Sequence, residues 1–126
     1  MTSVSDPAAV VTEFCALWSH PDLDELVSRF TEDAVYHNIP MAPVEGRPAI
    51  RDFIAGFLAG FDGIDFTLHH QSGQGAIVMN ERTDVMRRKD GSEFALPVMG
   101  IFEVRDGLIA KWRDYFDLAT IATAFE

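Results

Sequence analysis

The second half of the chain alternates between apolar and polar residues with a period of two, which limits the fold more than any other feature of the sequence. The alternation covers residues 64–68, 76–87, 94–104 and 108–116. Runs of this kind predict β-strands. Asp90-Gly91 and Asp106-Gly107 separate the last three runs, and Asp-Gly pairs favour the turns that match strand twist. We therefore expect antiparallel strands joined by hairpins.

The first half of the chain shows helical spacing instead. Three predicted helices begin at Asp6-Pro7, Asp22 and Pro48, and a short helix at the end of the chain begins at Asp117. All of these residues suit a helix N-terminus. The second helix is expected to reach Phe30 and the third Phe61, with a strand that ends at Pro40 between them. This order indicates an α+β fold. One sheet must wrap around the N-terminal helices, and such a curved sheet leaves a pocket in its concavity.

Length, charge and composition narrow the classes of function. The 126 residues fit a single domain, 1–126, with a buried core. A net charge of −10 with only 10 Lys and Arg residues disfavours a nucleic-acid partner. The sequence has neither an apolar run near the roughly 20 residues that span a bilayer nor a secretory signal pattern. We expect a cytoplasmic protein without a membrane partner, and a core position for the single cysteine, Cys15.

The stretch NERTDVM, residues 80–86, places polar groups inside an otherwise apolar strand pattern. Asn80, Arg82 and Asp84 alternate onto one face, between Val78 and Met86. An Arg-x-Asp pair on a strand is typical of an exposed cross-strand ion pair. The same residues on a buried face would instead form a site that uses charge. The strand pattern alone leaves both interpretations open.

Neighbouring strands carry counterparts that would suit a buried site. Trp112, Asp114 and Phe116 share one face of the last strand, and Tyr36 and Asn38 share one face of the first. If these faces line one concavity, it holds two carboxyls, a guanidinium, a phenol and one or two amides. Acid–base hydrolysis needs one ionised carboxylate as base and one protonated carboxyl as acid. Burial and the nearby arginine act on a carboxyl pKa in opposite directions, so the sequence leaves open which acid keeps the proton.

Three segments resemble the limonene epoxide hydrolase family in order and separation: YHNIP (36–40), ERTDV (81–85) and KWRDYFD (111–117). The resemblance implies a cone-shaped fold like that of nuclear transport factor two, in which a strongly curved mixed sheet and helices enclose a deep pocket. It also implies hydrolysis of a small apolar epoxide, alicyclic or aryl, to a vicinal diol in one step. No metal, cofactor or covalent enzyme intermediate is implied.

The family roles carry over residue by residue. By resemblance, Tyr36 and Asn38 hold the water, Asp114 is the base that activates it, Arg82 bridges the two acids, and Asp84 protonates the epoxide oxygen. The substrate-binding wall is expected at Met86, Leu96, Val98, Trp112, Phe116 and Leu58. Because the sequence ends at Glu126, the resemblance implies a shorter C-terminal segment than in the limonene enzyme. It also implies a homodimer, for which the outer-face residues Ile77 and Met79 are suited.

Two other functions are compatible with the same residues. A ketosteroid-isomerase-like or polyketide-cyclase-like enzyme on the same fold would use Asp114 as a base on carbon and Tyr36 as an oxyanion donor. A bridging arginine between two acids disfavours that function, because an isomerase site has little use for the bridge. A non-catalytic pocket protein, in which the polar residues only satisfy one another, is the third possibility.

Overall fold

The protein is described by a computed structural model that covers residues 6–125. Over that range the elements are α1 (Pro7–Leu17), α2 (Leu23–Ser28), β1 (Phe30–Asn38), β2 (Val44–Glu45), α3 (Arg47–Leu58), β3 (Phe61–Gln74), β4 (Ile77–Arg88), β5 (Glu93–Arg105), β6 (Leu108–Tyr115) and α4 (Leu118–Thr123). The strands form one sheet in the order β2-β1-β6-β5-β4-β3. β1 runs parallel to β6 and the other neighbours are antiparallel. The fold is therefore the predicted α+β fold with a curved mixed sheet, and the sheet is not closed.

Helix starts follow the capping residues that the sequence indicates. Asp6 accepts a hydrogen bond from the Ala8 N–H at 3.2 Å, and Asp22 accepts one from the Glu25 N–H at 3.1 Å. Asp117 accepts one from the Ala119 N–H at 2.8 Å. These side chains satisfy N–H groups that a helix N-terminus leaves without a partner. None of the helices in residues 6–125 is long and apolar enough to cross a membrane.

Three boundaries differ from the sequence prediction. Phe30 begins β1 instead of extending α2, and Phe61 begins β3 instead of extending α3. Val44–Glu45 forms a short strand between Pro40 and α3, which the strand pattern does not predict. Both phenylalanines are buried, and a buried apolar residue at the junction of two elements fits the helical and the strand period equally well. Tertiary contacts such as Phe30 against Phe14 decide the boundary.

The concave face of the sheet holds the core. α1 packs on β3, β4 and β5, and α3 packs on β1 and β3. Phe14 of α1 meets Trp112 of β6 edge to face, with ring centroids 5.1 Å apart. On β4 the buried residues are Val78, Asn80, Arg82, Asp84 and Met86. The predicted face of NERTDVM is therefore the inner face of the sheet.

The opposite face of the sheet carries the two apolar residues that are expected to suit a second copy. Met79 is 46% exposed and Ile77 is half-buried there. Met99 and Tyr115 lie beside them on β5 and β6, exposed to similar extents. Whether this face binds a second copy stays a prediction.

Two glycines provide a test of how tightly α1 is held on β3. A Cβ on Gly63 would overlap the Ser19 carbonyl oxygen and the Arg87 guanidinium, which bond to each other at the end of α1. We expect Gly63→Ala to lower the free energy of unfolding by about 1–3 kcal/mol, the usual cost of overpacking. Gly56, inside α3, has open space where a Cβ would lie, so Gly56→Ala should raise the free energy of unfolding by about 1 kcal/mol. Urea unfolding measures the stability of both variants. Equal changes in the free energy of unfolding would contradict the close contact of Gly63 with the end of α1.

Candidate active site

Arg82, in the middle of β4, has all the N–H groups of its guanidinium bonded. Nε and Nη2 donate to the two oxygens of Asp84, each at 2.9 Å. Nη1 and Nη2 donate to Oδ1 and Oδ2 of Asp114 at 3.1 and 2.8 Å. The second Nη1 hydrogen goes to Oδ1 of Asn80 at 3.1 Å. A guanidinium has five donors, and each has an acceptor here. With 1% of its surface exposed, Arg82 forms a buried network and not an exposed ion pair.

A glycine makes the bridge between β4 and β6 possible. Asp114 on β6 and Asn80 on β4 both pair with Gly100 on the strand between them. The guanidinium must therefore pass over β5 to reach Asp114. A Cβ on Gly100 would overlap Nη1 of Arg82 and lie 2.7 Å from Oδ1 of Asp114. The network thus requires a residue without a side chain at position 100.

Asp114 has further contacts on its other side. The indole N–H of Trp112 donates to Oδ1 of Asp114 at 2.6 Å. Asn38 is the residue paired with Asp114 across the parallel β1–β6 ladder. Tyr36 stacks on the Trp112 ring with centroids 4.3 Å apart. The structure therefore brings together the side chains predicted to carry catalysis: Tyr36, Asn38, Arg82, Asp84 and Asp114.

Burial and charge set the protonation of the bridge. Burial raises the pKa of Asp84 above its ordinary value, and this effect outweighs the Arg82 guanidinium, which lowers that pKa. Burial lowers the pKa of Arg82, but the charges of Asp114 and Asp84 outweigh burial and hold that pKa well above its ordinary value. Arg82 therefore stays charged, whereas Asp84 is the carboxyl that burial favours in its protonated form. Asp114 is the carboxyl that accepts three N–H bonds.

A cavity lies in front of these groups and encloses about 500 Å³ of empty space, including its open mouth. Tyr36, Asn38, Asp84 and Asp114 give it a polar end. The rest of its lining is apolar: Trp18, Met41, Phe53, Ile54, Phe57, Ile64, Phe66, Met86, Leu96, Val98, Phe116 and Ile121. An apolar lining with a few polar groups at one end is typical of a small-molecule site.

The cavity includes part of the predicted wall. Met86, Leu96, Val98 and Phe116 line it, as expected. Trp112 and Leu58 are not among the lining residues in the described part of the chain. Trp112 is covered by the ring of Tyr36, and its N–H is bonded to Asp114. Leu58 packs half-buried against the core at the end of α3.

Sequence reasoning missed two contributors, Gly100 and Gln71. The strand pattern does not single out Gly100, although a glycine inside a strand often marks a close approach of another group. Gln71 of β3 accepts a hydrogen bond from Nδ2 of Asn80 at 3.1 Å. The sequence carried no comparable signal for Gln71, because its contact depends on the register between β3 and β4.

Comparisons with known proteins identify the family of this chain. The family model described as a SnoaL-like domain matches residues 11–112. Epoxide hydrolase EphG of Mycobacterium tuberculosis is 31% identical over 108 residues, which are 86% of this chain and 71% of that protein. A structure described as an LEH-like epoxide hydrolase from M. tuberculosis superposes with a TM-score of 0.82 and 26% identity, covering 97% of this chain and 90% of that one.

More distant structures share the architecture. A Catenulispora acidiphila protein described as having a ketosteroid isomerase-like fold has a TM-score of 0.78 at 23% identity, covering 90% of this chain and 89% of that one. Identity at that level shows a common fold and carries no statement about activity. The chain belongs to the SnoaL-like domain family, with the nuclear transport factor two-like fold, and its resemblance to LEH-like epoxide hydrolases is confirmed.

Proposed function

We propose that this protein hydrolyses an apolar epoxide to a vicinal diol by direct attack of water, with Asp114 as general base and Asp84 as general acid. One observation carries the proposal: a single buried guanidinium contacts both carboxyls, and burial raises the pKa of one of them. Burial thus favours the protonated form of Asp84 beside a second carboxyl that the same cation holds, and concerted opening of an epoxide requires an acid and a base together. The relative named as an epoxide hydrolase supports the same reaction class.

The mechanism moves one proton at each end of the reaction. Asp114 takes a proton from a water placed by Tyr36 and Asn38, and the water oxygen forms a bond to one epoxide carbon. The bond between that carbon and the ring oxygen breaks, and Asp84 gives its proton to this oxygen. Negative charge therefore passes from Asp114 to Asp84. Nη2 of Arg82 lies 2.8 Å from Asp114 and 2.9 Å from Asp84, so the same cation stabilises the charge before and after transfer. A proton returned from Asp114 to Asp84 restores the enzyme.

The walls of the cavity indicate the substrate class. Apolar side chains surround its polar end on the remaining sides, which favours a hydrocarbon body such as an alicyclic or aryl group. A second, largely apolar groove, the outer groove, shares part of this lining and extends past Asp52 to Leu118 and Phe125. The shared residues are Met41, Phe53, Phe57 and Ile121. A substrate whose epoxide reaches Asp84 can therefore leave an apolar substituent in this groove.

Isosteric substitution of either acid tests the reaction. Asp114→Asn removes the base and Asp84→Asn removes the acidic proton, so each should lower kcat by at least about 100-fold. Diol formation from a panel of epoxides, followed by chromatography, measures the loss. Circular dichroism must show that both variants stay folded. Substantial turnover in either folded variant would contradict the roles assigned.

Isotope labelling separates the proposed route from its rivals. Under single-turnover conditions in ¹⁸O-water the diol should carry the label, whereas unlabelled diol would indicate a covalent ester with a carboxylate. An isomerase would instead exchange a substrate C–H with deuterated water and leave epoxides intact.

Gly100→Ala tests whether the bridge needs open space over β5. The added methyl would displace Nη1 of Arg82 from Asp114, so kcat should fall by about 10- to 100-fold, the effect of misplacing catalytic groups by about 1 Å. Gly73→Ala is the control, because its Cβ would meet neighbours only at 3.5 Å or more. Equal kcat values for the two variants would show that the bridge tolerates a side chain at position 100.

A series of terminal epoxides with growing alkyl chains tests the outer groove. Each buried methylene contributes about 0.8 kcal/mol, so kcat/KM should rise by about two- to fourfold per methylene until the groove is full. Leu118→Gln should flatten this rise without changing turnover of the shortest epoxide. Met99→Gln is a matched control, because Met99 is 47% exposed on the opposite face and Leu118 is 49% exposed. A rise that both variants retain would place the alkyl chain elsewhere.

A further inference from the structure

Asn80 connects the catalytic arginine to the first turns of α1 through a chain of side-chain amides. Its Oδ1 accepts from Nη1 of Arg82, and its Nδ2 donates to Oε1 of Gln71 at 3.1 Å. Nε2 of Gln71 donates to Oγ1 of Thr12 at 2.9 Å and to the Ala8 carbonyl oxygen at 3.4 Å. Asn80 is 1% exposed and is not a lining residue of the described cavity. The proposed reaction gives it no chemical step.

The two ends of this chain fix the direction of both amides. A backbone carbonyl can only accept, so Gln71 turns its NH₂ group toward Ala8 and its oxygen toward Asn80. Asn80 must then donate to Gln71, which leaves its own oxygen for Arg82. A guanidinium can only donate, so the orientation is consistent from end to end. An amide reversed at either position would place two donors or two acceptors face to face.

We propose that Asn80 is a positioning residue: it takes the fifth N–H of Arg82 and so holds the guanidinium in the plane that serves both Asp84 and Asp114. This inference rests on the proposed function. Because an amide is neutral, Asn80 completes the arginine's bonding without adding charge. Two carboxylates and one guanidinium alone would carry a net charge of −1, and an acid at position 80 would make the site more negative.

Other titratable groups face the same centre. They are Asp114 on β6, Tyr36 on β1 and Cys15 on α1. Burial raises the pKa of the Cys15 thiol to about 12 and also raises the pKa of Tyr36, so both are neutral near pH 7. Among described residues that line the cavity, those from α3, β3, β5 and α4 are apolar. A new charge at position 80 would therefore act mainly on Arg82 and the two carboxyls.

Asn80→Asp is the nearly isosteric test. The added carboxylate disfavours ionisation of Asp84 and so raises the pKa of that acid further. Activity that needs protonated Asp84 is lost as the pH rises through this pKa. The basic limb of the pH profile of kcat should therefore move to higher pH in the variant. We also expect kcat to fall about tenfold at its optimum, with KM unchanged because Asn80 does not line the cavity.

Gln71→Met tests the same chain from outside the network. Without the Gln71 oxygen, Asn80 loses the bond that fixes its direction, so kcat should fall by roughly three- to tenfold while KM stays constant. Gln74→Met is the matched control, because Gln74 is exposed on the same strand. If Asn80→Asp does not fold, Gln71→Met still decides the inference. Wild-type kcat in Gln71→Met would overturn it.

A ¹³C NMR titration of the Asp84 carboxyl in the wild type and Asn80→Asp provides a readout that needs no substrate. A higher pKa of Asp84 in the variant supports the inference, and an unchanged pKa of Asp84 contradicts it. If the variant loses thermal stability but keeps the wild-type kcat and its pH dependence, the role of Asn80 is only structural. A wild type that opens no epoxide would refute the proposed function, but the titration would still report on the coupling of Asn80 to Asp84.

Discussion

The hydrogen bonding of one buried guanidinium, that of Arg82, determines which residues can surround it. A charged group inside a protein is costly unless it is paired and its donors are satisfied. Arg82 meets both requirements through two carboxyls and one amide. The face of Phe66 lies 4.6 Å from the guanidinium carbon and completes its enclosure. Removal of any partner would leave a donor or a charge unpaired in the core.

This requirement extends to residues that carry no charge. The strand between Arg82 and Asp114 must present no side chain at the crossing point, and Gly100 meets that condition. The indole N–H of Trp112 donates to Asp114, and the ring of Trp112 stacks on the ring of Tyr36. The aromatic core and the polar network around Arg82 are therefore one packing unit, in which the position of Asp114 depends on the Trp112 ring.

Much of this arrangement follows from the sequence because strand periodicity assigns faces. The inner face of NERTDVM and the hairpins depend on alternation and on short turns. The approach of Tyr36 to Asp114 depends instead on the parallel pairing of β1 with β6, which only the family resemblance implied. The errors arise where a contact depends on the distance between elements. Phe30 fits either neighbouring element, and Leu58 has the helical spacing of a wall residue without reaching the cavity. Gln71 takes part only because β3 pairs with β4 in one particular register.

The fold alone does not select a reaction, since proteins with isomerase-like folds share this architecture. The distinctive feature is the distribution of charge over two strands, β4 and β6, on either side of β5. A lone carboxylate in an apolar cavity would suit proton abstraction from carbon, but here a second carboxyl has its pKa raised by burial and shares the same cation. Moving a negative charge between the two acids requires little rearrangement, because the guanidinium already contacts both. This geometry therefore suits the proposed reaction, in which one proton is removed while another is donated.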